Sequence, residues 1–253
     1  MNVTPDSFSD GGRYGSAEAA VRQAQALVAA GAEGIDIGGE STRPGFLPVG
    51  WREEIRRLAV PVARLREFLD TRAWLSVDTR KASVAAAAAG WGIDCINDVS
   101  GGLSRGMRTF LPHWQGRYVL VHGMGHVLAP DDPHPVRTVA RWLAGRIARL
   151  QDLGLSADRI AIDPGIGFGT TRDQDLALLD GLAELADLGH EVWLGLSRKR
   201  IVQRLRRPDE DIDQASWRLA LAARARCGPH AASVLLRMHE RPFRSPDFSR
   251  LEG

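Results

Sequence analysis

Strand-length β-branched runs alternate with helix-length Ala/Leu/Arg stretches along the whole chain, and this alternation constrains the fold more than any other feature. Candidate strands are Met1–Val3, Gly34–Ile37, Trp74–Val77, Cys95–Asn97, Tyr118–Val121, Ile160–Ile162, Val192–Leu194 and Ser233–Leu236. Candidate helices fall near Ala17–Ala30, Arg52–Leu69, Ser83–Ala89, Arg105–Leu111, Val136–Leu153, Gln174–Leu188 and Ala215–Arg226. A helix between successive strands is a crossover, so the strands must run parallel in one sheet. Eight strands in 253 residues predict an α/β fold of the (β/α)8 TIM-barrel type, with a doubly wound open sheet as the second architecture. No Pro/Gly/Ser-rich linker or repeat divides residues 1–253, which read as one domain. Ser16 is the expected N-cap and Gly31 the expected C′ residue of the first helix, and Pro61 is expected to kink or split the second.

Composition narrows the function classes. Hydrophobic residues are 44% and charged residues 25%, an ordinary globular balance. No apolar run approaches the ~20 residues of a membrane span, and the first residues lack the basic and apolar regions of a secretory signal. Two cysteines, Cys95 and Cys227, cannot build a disulfide framework, which fits a cytoplasmic protein. Formal charge is +2, with 31 acids spread among the bases, so no nucleic-acid footprint is expected. Of the 33 cationic residues only Lys81 and Lys199 are lysine. Each follows a predicted strand, and an ammonium is not interchangeable with a guanidinium, so both point mildly to a site.

Polar residues gather where strands end. They are Asn2; Asp36 and Glu40; Asp78; Asn97 and Asp98; His122; Asp163; Ser197-Arg198-Lys199; and Arg237 with His239. Any one is explained as a cap or turn former, but a parallel barrel brings all eight strand ends to one face. The set divides into two chemistries. Arg43, Arg198, Lys199, Arg237 and His239, with glycine-rich stretches at Gly38-Gly39, Gly101-Gly102 and Gly165–Gly169, suit a polyanion. Asp78, Asn97 and Asp163 offer acceptors and an amide to a flat heterocycle carrying several N–H groups. The residues alone therefore predict a heterocycle attached to a phosphate or diphosphate.

Other motifs carry less. Gly165-Ile-Gly-Phe-Gly lacks the third-glycine spacing of a dinucleotide loop, and no lysine follows it as in a P-loop. His122 and His126, with Asp131, Asp132 and His134, sit on a glycine-containing loop without cysteine, and a zinc cluster there is disfavoured. Trp51, Trp74, Trp91, Trp114 and Trp142 read as packing residues. Cys95, inside a predicted strand, reads as a small buried apolar residue.

Taken together, seven collinear segments resemble the dihydropteroate synthase family. They are Met1-Asn-Val-Thr-Pro-Asp-Ser-Phe-Ser-Asp-Gly-Gly12, Gly39-Glu-Ser-Thr-Arg-Pro-Gly45, Ser76-Val-Asp-Thr-Arg-Lys81, Ile96-Asn-Asp-Val-Ser-Gly101, Asp163-Pro-Gly-Ile-Gly-Phe-Gly169, Gly195-Leu-Ser-Arg-Lys199 and Arg237-Met-His239. The resemblance implies a (β/α)8 barrel that joins 6-hydroxymethyl-7,8-dihydropterin diphosphate to 4-aminobenzoate, giving 7,8-dihydropteroate and diphosphate. It assigns Asp78, Asn97, Asp163 and Lys199 to the pterin, with Lys199, Asp163 and Asp78 as the catalytic set. Asn2 would coordinate Mg²⁺ on the diphosphate, and Arg237 and His239 would grip the diphosphate. Thr42 and Arg43 would lie on a mobile loop closing over 4-aminobenzoate, with Pro44, Phe168 and Ser197 near its ring. The family's habit of pairing through late helices implies a homodimer.

The chain departs from the family pattern in four places. It begins inside the first motif, and Arg241–Gly253 carries two prolines where an eighth helix is expected, so a barrel trimmed in its first strand and last helix is expected. Thr170 stands where the family has lysine after Gly-Phe-Gly, and His122-Gly-Met-Gly-His-Val lacks the usual proline. These departures motivate one alternative, a pterin-binding homologue without catalysis in a regulatory or partner role; another is a second pterin-family enzyme, such as a methyltetrahydrofolate-dependent methyltransferase. The second is disfavoured, because methyl transfer has no leaving diphosphate to hold.

Overall fold

In the computed structural model, which describes residues 1–3, 12–40, 47–102, 104–124 and 126–239, seven strands form one sheet in sequence order. They are β1 (Gly34–Gly38), β2 (Trp74–Asp78), β3 (Cys95–Asp98), β4 (Arg117–Val121), β5 (Ile160–Asp163), β6 (Glu191–Gly195) and β7 (Val234–Arg237). Every neighbouring pair is parallel. Helix α1 (Gly12–Ala29) precedes β1, and helices α2 (Trp51–Leu69), α3 (Ala82–Gly90), α4 (Arg105–Phe110), α5 (Pro135–Asp152), α6 (Arg172–Asp180), α7 (Leu182–Ala186), α8 (Arg200–Leu205) and α9 (Ile212–Arg226) lie between the strands in sequence. Among the described residues no helix is long and apolar enough to cross a membrane.

The sheet is strongly curled. Trp74 on β2 and Trp193 on β6 have ring centroids 5.2 Å apart, whereas strands four places apart in a flat sheet are separated by about 19 Å. The concave face holds a small apolar plug of Cys95, Val119, Val121, Ala161 and Trp193, with Trp74 and Leu235 against it. Gly34 leaves room for that plug, since a Cβ there would lie 2.0 Å from the Trp74 ring. The larger core lies outside the sheet, where Ile35, Ile37, Leu75, Ile96, Leu120 and Ile162 meet helical residues such as Leu58, Val62, Leu65, Leu143 and Leu178. Burying each such side chain contributes about 1.5–3 kcal/mol. Cys95 and Cys227 are buried free thiols, as expected for Cys95.

Met1–Val3 supplies one parallel bridge, Asn2 to Gly38, rather than a full strand. Val3 N–H donates to the Gly38 carbonyl, and Gly38 N–H to the Met1 carbonyl, each at 2.9 Å. β1 and β7 are not paired with one another, so the described sheet has seven strands and is open along that seam.

Helix boundaries differ from expectation in four places. α2 runs through Pro61 without being split, and Pro61 is buried on its inner face; one missing N–H bond is outweighed by that packing. The predicted Gln174–Leu188 helix is two helices, broken at Gly181, whose N–H bonds the Ala177 carbonyl at 2.8 Å. A Cβ at Gly181 would meet Val136 at 2.7 Å, so close packing against α5 selects glycine there. Ser16 lies inside α1 rather than capping it, while Gly31 adopts φ +95° just beyond the helix, as a C′ residue does. α8, only six residues long, was not expected at all. Arg241–Gly253 lies outside the described residues.

Candidate active site

The strand register aims one set of side chains into the bowl. Gly38 pairs with Asp78, Asp78 with Asn97, Val121 with Asp163, and Gly195 with Arg237. Side chains alternate along a strand and align across a parallel pair. Asp36, two residues before Gly38, therefore faces inward with them. The C-terminal ends of five strands meet above the Trp74–Trp193 plug.

This floor is built from charges held apart from water. Arg237 Nη2 lies 2.9 Å from Asp36 Oδ2 and 3.6 Å from Asp78 Oδ2, and Nη1 lies 3.6 Å from Asp163 Oδ2. Asn97 Nδ2 donates to Asp36 Oδ2 at 3.2 Å. Asp163 Oδ1 accepts the Gly165 N–H at 2.8 Å, which fixes the turn after β5. Five buried side-chain atoms of the described residues have no hydrogen-bond partner, Ser76 Oγ and His122 Nδ1 among them, and three are amide or carboxylate acceptors of the floor: Asp36 Oδ1, Asn97 Oδ1 and Asp163 Oδ2. A buried acceptor left unsatisfied costs about 1–3 kcal/mol, and three in one bowl are a site waiting for donors. Burial first, and the Asp36 carboxylate next, push Asp78 up to about 7.

Lys199 closes one wall. It stands at the N-cap of α8, and its Nζ donates to the Ile166 carbonyl and lies 4.7 Å from the centroid of the Phe168 ring. Burial lowers its pKa to about 8, against the pull of Asp163. Arg198, just before it, has φ +58°. That left-handed turn is held by the Arg198 N–H to Ser216 Oγ at 3.1 Å and by a two-pronged contact to Asp213, both bonds at 2.8 Å. Ser197 Oγ accepts the His239 N–H at 3.3 Å, tying the end of β6 to the segment after β7.

A cavity of about 870 Å³ opens onto part of this floor, lined by Asp36, Asp78, Phe168, Ser197, Lys199, Arg237 and His239. It continues down the open seam between β1 and β7, past Gly34 and Leu235. Asn2 lines its mouth. Its Oδ1 sits above Gly38, where a Cβ would approach to 3.3 Å.

The structure thus brings together Asn2, Asp78, Asn97, Asp163, Phe168, Ser197, Lys199, Arg237 and His239. Thr42, Arg43 and Pro44 lie outside the described residues. Asp36, read from the sequence as a polar strand-end residue but given no role there, joins the site: in Gly34-Ile-Asp-Ile-Gly38 its apolar neighbours face the helices, so it faces the bowl. The expected contact of Arg237 with the phosphate side is not what this arrangement displays, since its guanidinium rests among the three carboxylates. His122 is buried and paired with His126, Nε2 to Nδ1 at 2.9 Å. Among the described residues no group of three His, Cys, Asp or Glu could hold a metal ion.

A curled parallel sheet with this floor defines a class, and the sequence comparison agrees: residues 1–236 match the family described as pterin binding enzyme, and the chain belongs to it. Its relatives include the dihydropteroate synthase of Streptococcus pyogenes, 37% identical over 206 residues that make up 81% of this chain and 76% of that one. The dihydropteroate synthase of Xanthomonas albilineans, solved with 4-aminobenzoic acid, superposes with TM-score 0.82 at 39% identity, over 94% of this chain and 85% of that one. The same enzyme in complex with 7,8-dihydropteroate gives TM-score 0.79 at 37% identity, over 95% and 86%.

Proposed function

We propose that this chain is a dihydropteroate synthase: a transferase of folate biosynthesis that condenses 6-hydroxymethyl-7,8-dihydropterin diphosphate with 4-aminobenzoate. The observation that supports the reading is the trio of buried acceptors without a hydrogen bond on Asp36, Asn97 and Asp163, beside Arg237 and Lys199 on a pterin-binding fold. A pterin ring presents N–H groups along one edge, which is the donor pattern these acceptors lack. Asp78, at the same level, completes the floor. We further propose a (β/α)8 barrel in which residues 1–3 occupy the place of the first strand; their parallel bridge to β1 supports this.

The pterin lies on the Asp78–Asn97–Asp163 floor with Lys199 beside it. As its N–H groups engage the carboxylates, Arg237 is released toward the diphosphate, where His239 also stands. The C–O bond to diphosphate breaks first, leaving a methylene cation whose charge the ring delocalises and the floor carboxylates favour. The arylamine nitrogen then attacks and loses a proton, and water is kept from the cation by the filled bowl. No protein nucleophile is needed. Thr42, Arg43 and Pro44, with Phe168 and Ser197, are assigned to 4-aminobenzoate.

Mg²⁺ fits this arrangement only in company with substrate. Asn2 Oδ1 offers one neutral oxygen at the mouth, and Mg²⁺ characteristically takes few protein oxygens plus phosphate and water. When bound, the ion supplies Lewis-acid stabilisation of the leaving diphosphate. A homodimer and a cytoplasmic setting are part of the same proposal.

The deciding measurement is diphosphate release from the pterin diphosphate, with and without 4-aminobenzoate and with and without Mg²⁺. Release requiring both, with dihydropteroate formed, is the expected result. Binding of pterin by folded protein without release would favour the non-catalytic homologue.

A further inference from the structure

Among the described residues, Asp70 and Arg198 are the two non-glycines with positive φ. Asp70 is the cap that ends α2. Arg198 ends no helix: it stands between Ser197 and Lys199, both of which line the cavity. A long side chain in that region of backbone space is strained and persists only where its surroundings hold it.

The hold comes from one face of α9. Ser216, fully buried, donates its hydroxyl hydrogen to the Ile212 carbonyl at 2.7 Å, which leaves a lone pair to accept the Arg198 N–H at 3.1 Å. Three residues earlier on the same face, Asp213 takes the guanidinium through Nε and Nη2, both at 2.8 Å. Main chain and side chain of one strained residue are thus gripped by one helix. The start of that helix is itself fixed by a capping box, in which Asp211 Oδ1 accepts the Asp213 N–H at 2.8 Å and Gln214 Oε1 accepts the Asp211 N–H at 3.2 Å. Arg198 holds the Asp213 carboxyl below its usual range, and His239 adds to the effect.

The strain has a direction. Returning Arg198 from φ +58° to an ordinary value of about −60° would swing the chain beyond it by about 120°. Lys199, the next residue, would leave the Ile166 carbonyl and the Phe168 ring that its ammonium now meets. Neither Asp213 nor Ser216 lines the cavity, so both reach it only through this turn.

We infer that Asp213 and Ser216 are positioning residues for Lys199: by holding Arg198 left-handed they keep the Lys199 ammonium inside the cavity. That the ammonium there serves the pterin rests on the functional reading above.

The chain has only two lysines, so lysine-selective isotope labelling gives two side-chain signals, and the one lost in Lys199→Arg identifies Lys199. In the wild type it should titrate at about 8, where burial and Arg237 lower it against the pull of Asp163, Asp175 and Asp78. Asp213→Asn, at the more exposed of the two positions, is the variant to use first, and Ser216→Ala the second. In each, the titration should move up by about half a pH unit or more as the ammonium swings toward water. Their kcat/KM for pterin diphosphate should fall about tenfold. A titration that stays in place or falls in either folded variant overturns the inference, even where the melting temperature drops, because the contacts are then merely structural. A kcat/KM that holds while the titration moves overturns it as well. Wild-type protein that makes no dihydropteroate overturns the functional reading instead, and the titration still decides whether α9 sets the place of Lys199.

Discussion

Arg237 is anchored by Asp36, at 2.9 Å, and only brushed by Asp78 and Asp163, at 3.6 Å each. Asp36 therefore does two things at once. It holds the cation that must later meet the diphosphate, and its charge helps keep Asp78 up at about 7. Asp36→Asn removes both effects. We expect kcat/KM for pterin diphosphate to fall by about 10- to 100-fold, as for loss of a buried charged partner. The acidic limb of the pH profile should move to lower pH, because Asp78 loses its repelling neighbour. Steady-state rates between pH 5 and 9 check both; an unmoved acidic limb would refute the coupling.

The wild-type profile should itself be bell-shaped and narrow. Asp78 must be ionised to accept from the pterin, so activity rises as pH passes about 7. Lys199 serves as a cation, so activity falls as pH passes about 8. Lys199→Arg keeps the charge far above that range and should remove the basic limb, whatever it does to the maximum. Lys199→Ala should lower kcat/KM by about 100-fold or more. Near-normal kinetics in Lys199→Ala would reject its assignment.

Asp78 should also cost stability for the sake of the site. Its folded pKa, about 7, lies above the ordinary carboxyl value of 3.8. The folded state thus binds the proton more tightly, and the stability this gives is full below about pH 4 and lost as pH rises through 7. Asp78→Asn mimics the neutral form. It should be more stable than wild type at pH 8, by up to about 4 kcal/mol, show little difference at pH 4, and have severely reduced turnover. Denaturant midpoints at the two pH values give the answer.

Much of this was legible in the residues. Strand positions followed from β-branched runs between helical stretches, and the polar strand ends gave most of the floor before any coordinates. What escaped was set by tertiary packing. Gly181 broke one predicted helix because Val136 crowds it, and α8 has too few residues to show a period. Asp36 was visible as a polar strand residue, but its importance depends on Arg237 reaching across from β7, six strands away in the sheet order. Glu40 was legible as a polar strand end, but its pairing with Glu54 through Lys81 was not, because nothing in sequence places a residue of α2 beside the end of β1.

Gly165 is the position least able to accept a side chain. Its φ is +72°, and a Cβ would fall 1.6 Å from the His122 carbonyl oxygen. Both the left-handed backbone and the overlap with a neighbouring main chain oppose any substitution. Gly165→Ala must displace either the turn that carries Asp163 or the end of β4, at a cost of about 4 kcal/mol or more. We expect little folded protein, seen as a lost or strongly lowered melting transition. A variant that melts like wild type would show the turn to be differently built.

Thr170 shows how the loop after β5 can be rigid without the lysine its relatives were expected to place there. Its Oγ1 donates to Asp175 Oδ1 at 2.5 Å, and the Gly167 N–H reaches both Thr170 Oγ1, at 3.0 Å, and Asp175 Oδ1, at 2.8 Å. Thr170 and Asp175 are 5% and 2% exposed, so these bonds are made out of water. They hold the turn from which Phe168 faces Lys199. Thr170→Val keeps the shape and deletes the hydroxyl, leaving Asp175 one donor short. The expected loss is about 1–3 kcal/mol of stability, with the KM for 4-aminobenzoate rising more than that for pterin diphosphate, because the Phe168 ring is assigned to the arylamine. Thr170→Ser, which retains the hydroxyl, should recover most of both effects. If Thr170→Ser behaves like Thr170→Val, the lost methyl packing is responsible and the hydrogen-bonded lock is not.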